Sequence, residues 1–501
     1  MCGYVNWCFH MAEKMTLNEL GSMDGIKMGS APDLSFSHIT QDSRKVQPGS
    51  LFVAIHGDTT DGHHFISQAK EQGAVAVLGN IPDQIEVEGL PYLFAEDPRR
   101  VLGVTAHALA GDPTHNMTVI GVTGTNGKSS TVCLVQSILE QWGKPSAAFG
   151  TLGYVINGKK VEAPHTTPFA EDLAALFREA QDQGVTHAVM EVSSHALEQE
   201  RVAGIEFNAA IFTNITQDHL DYHGTMEDYL AEKVKLFERV ENPDGVTVAN
   251  ADDPHAQVFR DASQVPHLTF GNSGDCQAAK VKNGTHNTKF TLETPWGSSE
   301  IKTRLLGSHN VSNILGAVAV CGGLGVPLDT IVGGIESLHA IPGRFEDIDE
   351  KQDFRIIVDY AHTDDGLINV LKAAREICSG TLILVFGCGG DRDKTKRPKM
   401  GAAALKGSDY CFVTSDNPRT ESPELILMDI EQGIQHSGGK RGEDYEIIVD
   451  RTEAIHAALH RAKVGDLVLI AGKGHEDYQI LNSGRIHFDD REVARAWLEA
   501  R

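Results

Sequence analysis

The sequence predicts an α/β protein built on doubly wound parallel sheets. Three observations carry this expectation. Short apolar runs recur along the chain, stretches of helical spacing separate them, and polar, glycine-rich turns follow several of the runs. Strands covered by helices on both faces read as continuous apolar runs, because neither face meets water. With 501 residues the chain has room for about three domains. An apolar content of 41% against 23% charged residues is enough to build real cores.

The first unit is marked by LFVAI at 51–55 and AVAVLG at 74–79, which flank the helically spaced HHFISQAKEQG in a βαβ-like arrangement. The turn formers of GDPTHN at 111–116 mark a boundary. MTVIGVTG then reads as a buried strand. In KSSTVCLVQSILEQW, Val132, Val135, Leu139 and Trp142 fall on one helical face. Apolar runs continue at 188–192 and 209–213, each near a helical stretch. HAIPGRFE at 339–346 reads as a second linker, after which RIIVDY, TLILVFG, DYCFVTS and DLVLIAG form a second doubly wound unit. The expected domains are 1–112, 113–341 and 342–501. Residues 1–14 read as an unstructured extension, with Met11 and Met15 as alternative starts. They lack the basic region and long apolar run of a secretory signal.

A formal net charge of -25 argues against a general nucleic-acid binder, which needs a basic footprint. Lys394, Lys396, Arg397 and Lys399 form a local basic group that, on charge alone, reads as a solvated surface loop. The eight cysteines, Cys2, Cys8, Cys133, Cys276, Cys321, Cys378, Cys388 and Cys411, are scattered with no C-x-x-C pair. That pattern points to a reducing cytoplasm. No apolar run reaches the roughly 20 residues of a membrane span, so no membrane partner is expected.

The strongest local signal runs from Gly121 to Ser129, GVTGTNGKS, between a strand and a helix. Glycines let the backbone wrap a phosphate, and the helix N-terminus supplies free N–H groups and a positive dipole end. Lys128 can neutralise β- and γ-phosphate oxygens, and Ser129 can ligate Mg²⁺. The match to the P-loop pattern is imperfect: its first glycine belongs at position 122, where this chain has valine. Taken singly, three further residues have plain readings. Glu191, ending a buried strand, pairs with a basic residue or binds metal. His219 is a hydrogen-bonded loop residue, and Lys233 is a surface helix lysine.

Four polar segments follow later strands: DYAHT at 359–363, GCGGDRDKTKRP, SDNPRTE, and GKGHE at 472–476. Loops at the carboxyl ends of parallel strands line the crevice where such sheets bind ligands.

Together, TGTNGKSS, EVSSH, NITQDHLDYHG, the lysine of YLAEKVKLF, LLGSHNVSN, PGRFE, DYAHT, GGDRDKTKRP, DNPR and GKGHE occur in an order that resembles the Mur ligases, from about Asp42 to the C-terminus. The resemblance implies a UDP-substrate domain, a central P-loop-type ATP domain, and a Rossmann-like last domain for the incoming amino acid. It implies that Gly124, Thr125, Asn126, Gly127, Lys128 and Ser129 cradle ATP phosphates, with Asn310, Arg344, Asp359 and His362 as further ATP contacts. Ser129 and Glu191 would hold one Mg²⁺, and His219 and Lys233 a second, with Lys233 carbamylated. A carbamate supplies the anionic oxygen that a hard cation prefers. Gln41, Ser43, Thr166, Thr167, Ser193, Gln199 and Arg201 would contact a UDP-muramoyl dipeptide. Arg392, Asp416, Asn417, Pro418, Arg419, Gly472 and Glu476 would form the pocket for meso-diaminopimelate, whose distal carboxylate Arg419 can clamp with a bidentate fork. One departure is Asp364, where the family usually has proline.

The implied chemistry is formation of an acyl phosphate on the D-glutamate carboxylate, followed by attack of the amine, in a cytoplasmic monomer. The alternatives are the same reaction with L-lysine, or a non-catalytic nucleotide sensor.

Overall fold

The computed structural model of the protein describes residues 14–23, 25–29, 34–57, 60–161, 163–284 and 286–500. The extension expected over residues 1–14, including Met11, Cys2 and Cys8, lies outside the described residues apart from Lys14. Met15 already begins a strand, Met15–Thr16.

Three main sheets succeed one another along the chain. In the first the strand order is Ile26–Met28, Leu90–Ala95, Ala74–Gly79, Ser50–Val53, His38–Thr40, parallel but for the edge strand Ile26–Met28 and the short Glu86–Val87, which pairs antiparallel with Leu90–Ala95. The expected βαβ unit is present, with helix Ile66–Glu71 crossing between Ser50–Val53 and Ala74–Gly79.

The second sheet has eight strands, six of them parallel in the order Ser146–Gly150, His187–Glu191, Thr118–Thr123, Ala209–Phe212, Val246–Asn250, His267–Phe270. Helices Lys128–Gln141, Ser308–Gly323 and Leu328–Ser337 pack one face, and Ala170–Asp182, Met226–Glu238 and Ala256–Ala262 the other. Val132, Val135 and Leu139 are buried in the first of these cores, and Trp142 packs against its edge. Both faces are therefore dry, which is why these strands carry little alternation. From Thr118–Thr123 the chain crosses to one side, returns beside it at His187–Glu191, and then continues on the other side at Ala209–Phe212. That reversal opens a crevice beyond the carboxyl end of Thr118–Thr123.

The third sheet follows the order Glu346–Asp347, Arg355–Asp359, Leu467–Ala471, Leu382–Phe386, Tyr410–Val413, Tyr445–Ile447, parallel except for its first strand. Its four central strands therefore deliver DYAHT, GKGHE, GCGGDRDK and SDNPR to one rim. Among the described residues no helix is long and apolar enough to cross a membrane.

Candidate active site

The glycine loop joins strand Thr118–Thr123 to helix Lys128–Gln141. Gly124 and Gly127 have φ of 145° and 86°. A Cβ on Gly124 would lie 1.9 Å from Thr213 Oγ1, and one on Gly127 2.4 Å from Asn313 Oδ1, so both space and backbone demand glycine. The loop is tied to the neighbouring strand end: Thr125 N–H donates to the Asn214 carbonyl at 2.8 Å, and Asn126 N–H to Asn214 Oδ1 at 3.0 Å. Lys128 Nζ donates to the carbonyls of Gly124 (2.9 Å) and Thr125 (2.8 Å). Burial pushes its ammonium below the ordinary lysine range, and the Glu191 carboxylate opposes that shift.

Glu191, at the tip of the adjacent strand, is buried. It accepts from Thr151 N–H at 2.8 Å and Thr151 Oγ1 at 3.2 Å. The basic partner that a buried carboxylate first calls for is thus replaced by a backbone and a hydroxyl donor. Lys233 is not the surface helix lysine its sequence position implies. It is buried, its Nζ donates to the Gly124 carbonyl at 2.9 Å, and it lies 4.5 Å from the centre of the Tyr229 ring. Helix Met226–Glu238 turns this position inward behind the glycine loop, so two lysines converge on one carbonyl oxygen. Burial, then the charge of Lys128, drives the Lys233 amine well below its ordinary value. His219 has a left-handed backbone (φ 53°), and its ring lies 4.7 Å from that of His195.

The last sheet reaches over this group. Arg344 Nη2 donates to Ser129 Oγ at 3.0 Å, its guanidinium lies 4.6 Å from the Tyr360 ring centre, and its Nε is buried without a partner. Asp359 accepts from Phe345 N–H (2.7 Å) and Ala361 N–H (2.8 Å), while burial raises its carboxyl pKa. Between the sheets lies a cavity of about 400 Å³. It is lined by residues 125–130, Thr166, Glu191, Ser193, His219, Arg344 and the 359–363 segment. That volume suits a nucleotide-sized ligand.

Beside the cavity, Thr166, Thr167, Ser193, Gln199 and Arg201 form one connected patch. Thr166 Oγ1 meets Thr151 Oγ1 at 3.0 Å, and Thr167 Oγ1 donates to the Glu191 carbonyl at 2.9 Å. Arg201 donates to the Thr167 carbonyl (3.0 Å) and to Gln199 Oε1 (2.7 Å). Gln41 and Ser43 stand apart from this patch. Gln41 Nε2 donates to Glu171 at 3.4 Å, where the first sheet meets helix Ala170–Asp182, and Ser43 Oγ donates to Gln68 at 3.1 Å.

At the other end of the rim, Asn417 Nδ2 donates to Glu476 Oε2 at 2.9 Å, and Asp416 Oδ1 accepts from Asn417 N–H at 2.6 Å. Gly472 packs on Asp416, whose Oδ2 lies 2.7 Å from where a Cβ would stand. Arg419 Nη1 donates to the Gly390 carbonyl at 2.8 Å, and Arg392 to the Asp391 carbonyl at 3.1 Å. Pro418 places its own carbonyl against Gly390. None of residues 416–419 lines the cavity. His475 links the two regions: its ring lies 4.9 Å from Tyr360, and burial, reinforced by Arg344 and Arg491, lowers its pKa to about 3.

Several expectations need correction or extension. In the basic group at 394–399, Lys394 and Lys399 are exposed as expected, but Arg397 is not. Arg397 is buried between Glu421 and Asp429 at 2.8 and 2.9 Å, opens helix Lys396–Gly407, and so anchors the segment before SDNPR's neighbour Glu421. Asn310 is buried, donating to the Leu306 carbonyl at 2.9 Å; Asn313, one helical turn on, is the residue that lines the cavity. Asp364 takes the first position of helix Asp364–Ile377, where a proline also fits and an acid suits the dipole. Sequence reasoning passed over Lys473, fully buried with Nζ 2.9 Å from Glu476 Oε2, although it sits inside the quoted GKGHE. It also missed Thr151, which no local pattern marks.

The residues present fit a nucleotide with a hard cation. The unpartnered Arg344 Nε and the glycine cradle suit phosphate, and Ser129 Oγ and the Glu191 carboxylate are oxygen donors on the same cavity. Among the described residues no three His, Cys, Asp or Glu side chains gather as a metal cluster.

Comparison with known proteins agrees with this geometry. Residues 35–117 match "Mur ligase family, catalytic domain", 122–321 match "Mur ligase middle domain", and 343–474 match "Mur ligase, glutamate ligase domain". The UDP-N-acetylmuramoyl-L-alanyl-D-glutamate–2,6-diaminopimelate ligase of Geobacillus thermodenitrificans is 44% identical over 95% of this chain and 97% of its own. The Listeria monocytogenes protein of the same name is 40% identical, covering 97% and 99%. A solved ligase of that name superposes with a TM-score of 0.70 at 34% identity, covering 97% and 99% of the two chains. The Thermotoga maritima MurF ligase in complex with ADP shares the fold, with a TM-score of 0.60 at 21% identity, covering 92% and 97%. The fold and site define an ATP-dependent ligase that forms an amide bond. The chain belongs to the Mur ligase family.

Proposed function

We propose that the protein adds meso-2,6-diaminopimelate to the D-glutamate of UDP-N-acetylmuramoyl-L-alanyl-D-glutamate, acting as a monomer in cytoplasmic peptidoglycan precursor synthesis. The observation that carries this reading is full-length similarity to ligases of that name, together with Arg419 in an intact SDNPR loop. The proposed domains are 1–112 for the UDP-substrate, 113–341 for ATP and 342–501 for the amino acid.

In this reading residues 124–129 and Arg344 hold the triphosphate, with Asp359 and His362 beside it and Asn310 supporting the wall. Gln41 and Ser43 meet the uracil end, and the Thr166–Arg201 patch orients the dipeptide so that its carboxylate faces the γ-phosphorus. Lys128 and Arg344 spread the charge that develops as the acyl phosphate forms. Mg²⁺ bound by Ser129 and Glu191, and by His219 and carbamylated Lys233, would add further charge neutralisation. The depressed pKa of Lys233 favours the neutral amine, the form that reacts with CO₂. A carbamate there would also turn repulsion from Lys128 into attraction. Arg392, Asp416, Asn417, Pro418, Arg419, Gly472 and Glu476 present the amine, which attacks the acyl carbon and releases phosphate. No protein nucleophile is needed; alignment does the work.

A substrate panel tests the reading. Phosphate release should require ATP, the UDP-dipeptide and diaminopimelate together, with L-lysine a poor substitute. Strong turnover of lysine would defeat the choice of amine, and nucleotide binding without stimulated release would favour a sensor.

A further inference from the structure

Helix Asp364–Ile377 of the last sheet points its N-terminus at the cavity. Thr363 caps it, with Oγ1 accepting from Gly366 N–H at 3.1 Å, so Asp365 is free of capping duty. Its Oδ2 instead accepts from Asn126 Nδ2 at 3.3 Å, Thr216 Oγ1 at 2.8 Å and Asn369 Nδ2 at 3.0 Å. Two of these donors belong to the middle sheet, and one of them is inside the glycine loop.

The connections behind them matter. The Asn126 backbone is secured within the middle sheet: its carbonyl accepts from Asn214 Nδ2 at 3.1 Å and Thr213 Oγ1 at 2.6 Å. Only its side chain crosses to the last sheet. Thr216 N–H donates to Thr125 Oγ1 at 3.1 Å, and Thr125 Oγ1 meets the Tyr229 hydroxyl at 3.1 Å, one turn of helix before Lys233. A carboxylate that touches both Asn126 and Thr216 therefore grips the glycine loop at two consecutive residues, directly at 126 and through Thr216 at 125. Hydrogen bonds to an ionised acceptor are the stronger kind, and this one spans a seam otherwise bridged near the loop by Arg344 and Ser129.

We propose that Asp365 is a positioning residue that sets the shape of the glycine loop from across the domain seam, so that tight nucleotide binding requires the last sheet to be docked. This rests on the ligase reading above. Asp365 touches no reacting atom in this arrangement; it acts through Asn126 and the Thr216–Thr125 pair.

The test is steady-state kinetics of Asp365→Ala, Asp365→Asn and Thr216→Val, with ATP, UDP-dipeptide and diaminopimelate each varied, alongside melting temperatures. Loss of a charge-assisted hydrogen bond should raise the KM for ATP by about tenfold or more in Asp365→Ala. The KM for diaminopimelate should stay within about twofold, as expected when nucleotide contacts alone are disturbed. Asp365→Asn keeps an acceptor oxygen and should recover most of the loss. Thr216→Val should add little in the Asp365→Ala background, because both changes break one link. A wild-type KM for ATP in Asp365→Ala overturns the inference. So does an equal rise for all three substrates, or full additivity of the two changes. If Asp365→Ala does not fold, Thr216→Val alone with an unchanged KM for ATP overturns it. Absence of stimulated phosphate release from the wild-type enzyme would instead bring down the underlying ligase reading.

Discussion

The glycine loop and the SDNPR–GKGHE rim both sit at the carboxyl ends of parallel strands, yet their side chains are arranged differently. Around the glycine loop, Ser129, Glu191, His219 and Arg344 face a shared cavity of about 400 Å³, and one guanidinium N–H has no partner. Along the rim the polar groups satisfy each other: Asn417 with Glu476, Lys473 with Glu476, Arg419 with the Gly390 carbonyl. The first region presents its groups ready-made to an open cavity, although Lys128 and Arg344 also hold internal hydrogen bonds. On the proposed reading, the second must exchange internal hydrogen bonds for substrate ones. Rebuilding such contacts is a natural source of selectivity, since a ligand lacking a matching group leaves buried partners unpaired.

The largest expected effect lies on the ready-made side. Lys128→Ala should lower substrate-stimulated phosphate release by roughly a thousandfold, the scale of losing one preorganised charge at a transition state. Its melting temperature should change little. Near-normal turnover would show that the loop is not where the triphosphate reacts.

On the exchangeable side the effect should be narrower. Arg419→Ala should raise the KM for diaminopimelate by about ten- to a hundredfold, leave the KM for ATP alone, and erode selectivity against lysine. Arg419→Lys should not restore it, because an ammonium lacks the planar fork. Unchanged KM and selectivity would place recognition of the distal carboxylate elsewhere.

The smallest effect concerns the residue between the regions. Burial holds the His475 pKa at about 3, below the ordinary value of 6.5, so the folded protein favours its neutral ring. The unfolded chain binds the extra proton first. The stability this contributes is therefore present above about pH 6.5 and is lost as pH falls toward 3. The melting temperature of His475→Gln should fall less steeply over that window than wild type. Parallel curves would mean that the ring is not confined at the junction.

Much of this architecture was legible in the sequence because it is written locally. Apolar runs with dry faces marked the strands, and GVTGTNGKSS marked a glycine loop whose positive-φ backbone and close neighbours at 124 and 127 make any side chain there strained. Lys233, Arg397 and Asp365 were not legible in the same way. Motif order could flag the segments of Lys233 and Arg397 but not their burial, and each of the three is held by residues between 24 and 239 positions away. Asn310 against Asn313 shows a finer limit: one helical turn decides which amide faces the cavity.

The sequence by itself determined the α/β class, the order of the strands along the chain, the glycine-rich strand-to-helix loop and the family, because periodicity, glycine geometry and motif order are properties of neighbouring residues. Only the tertiary structure decided that Lys233 is buried behind Gly124, that Asp365 and Arg344 reach across to the loop, and that the rim's charges pair among themselves. Burial and long-range hydrogen bonding depend on how separate sheets are brought together, and no local pattern encodes that distance.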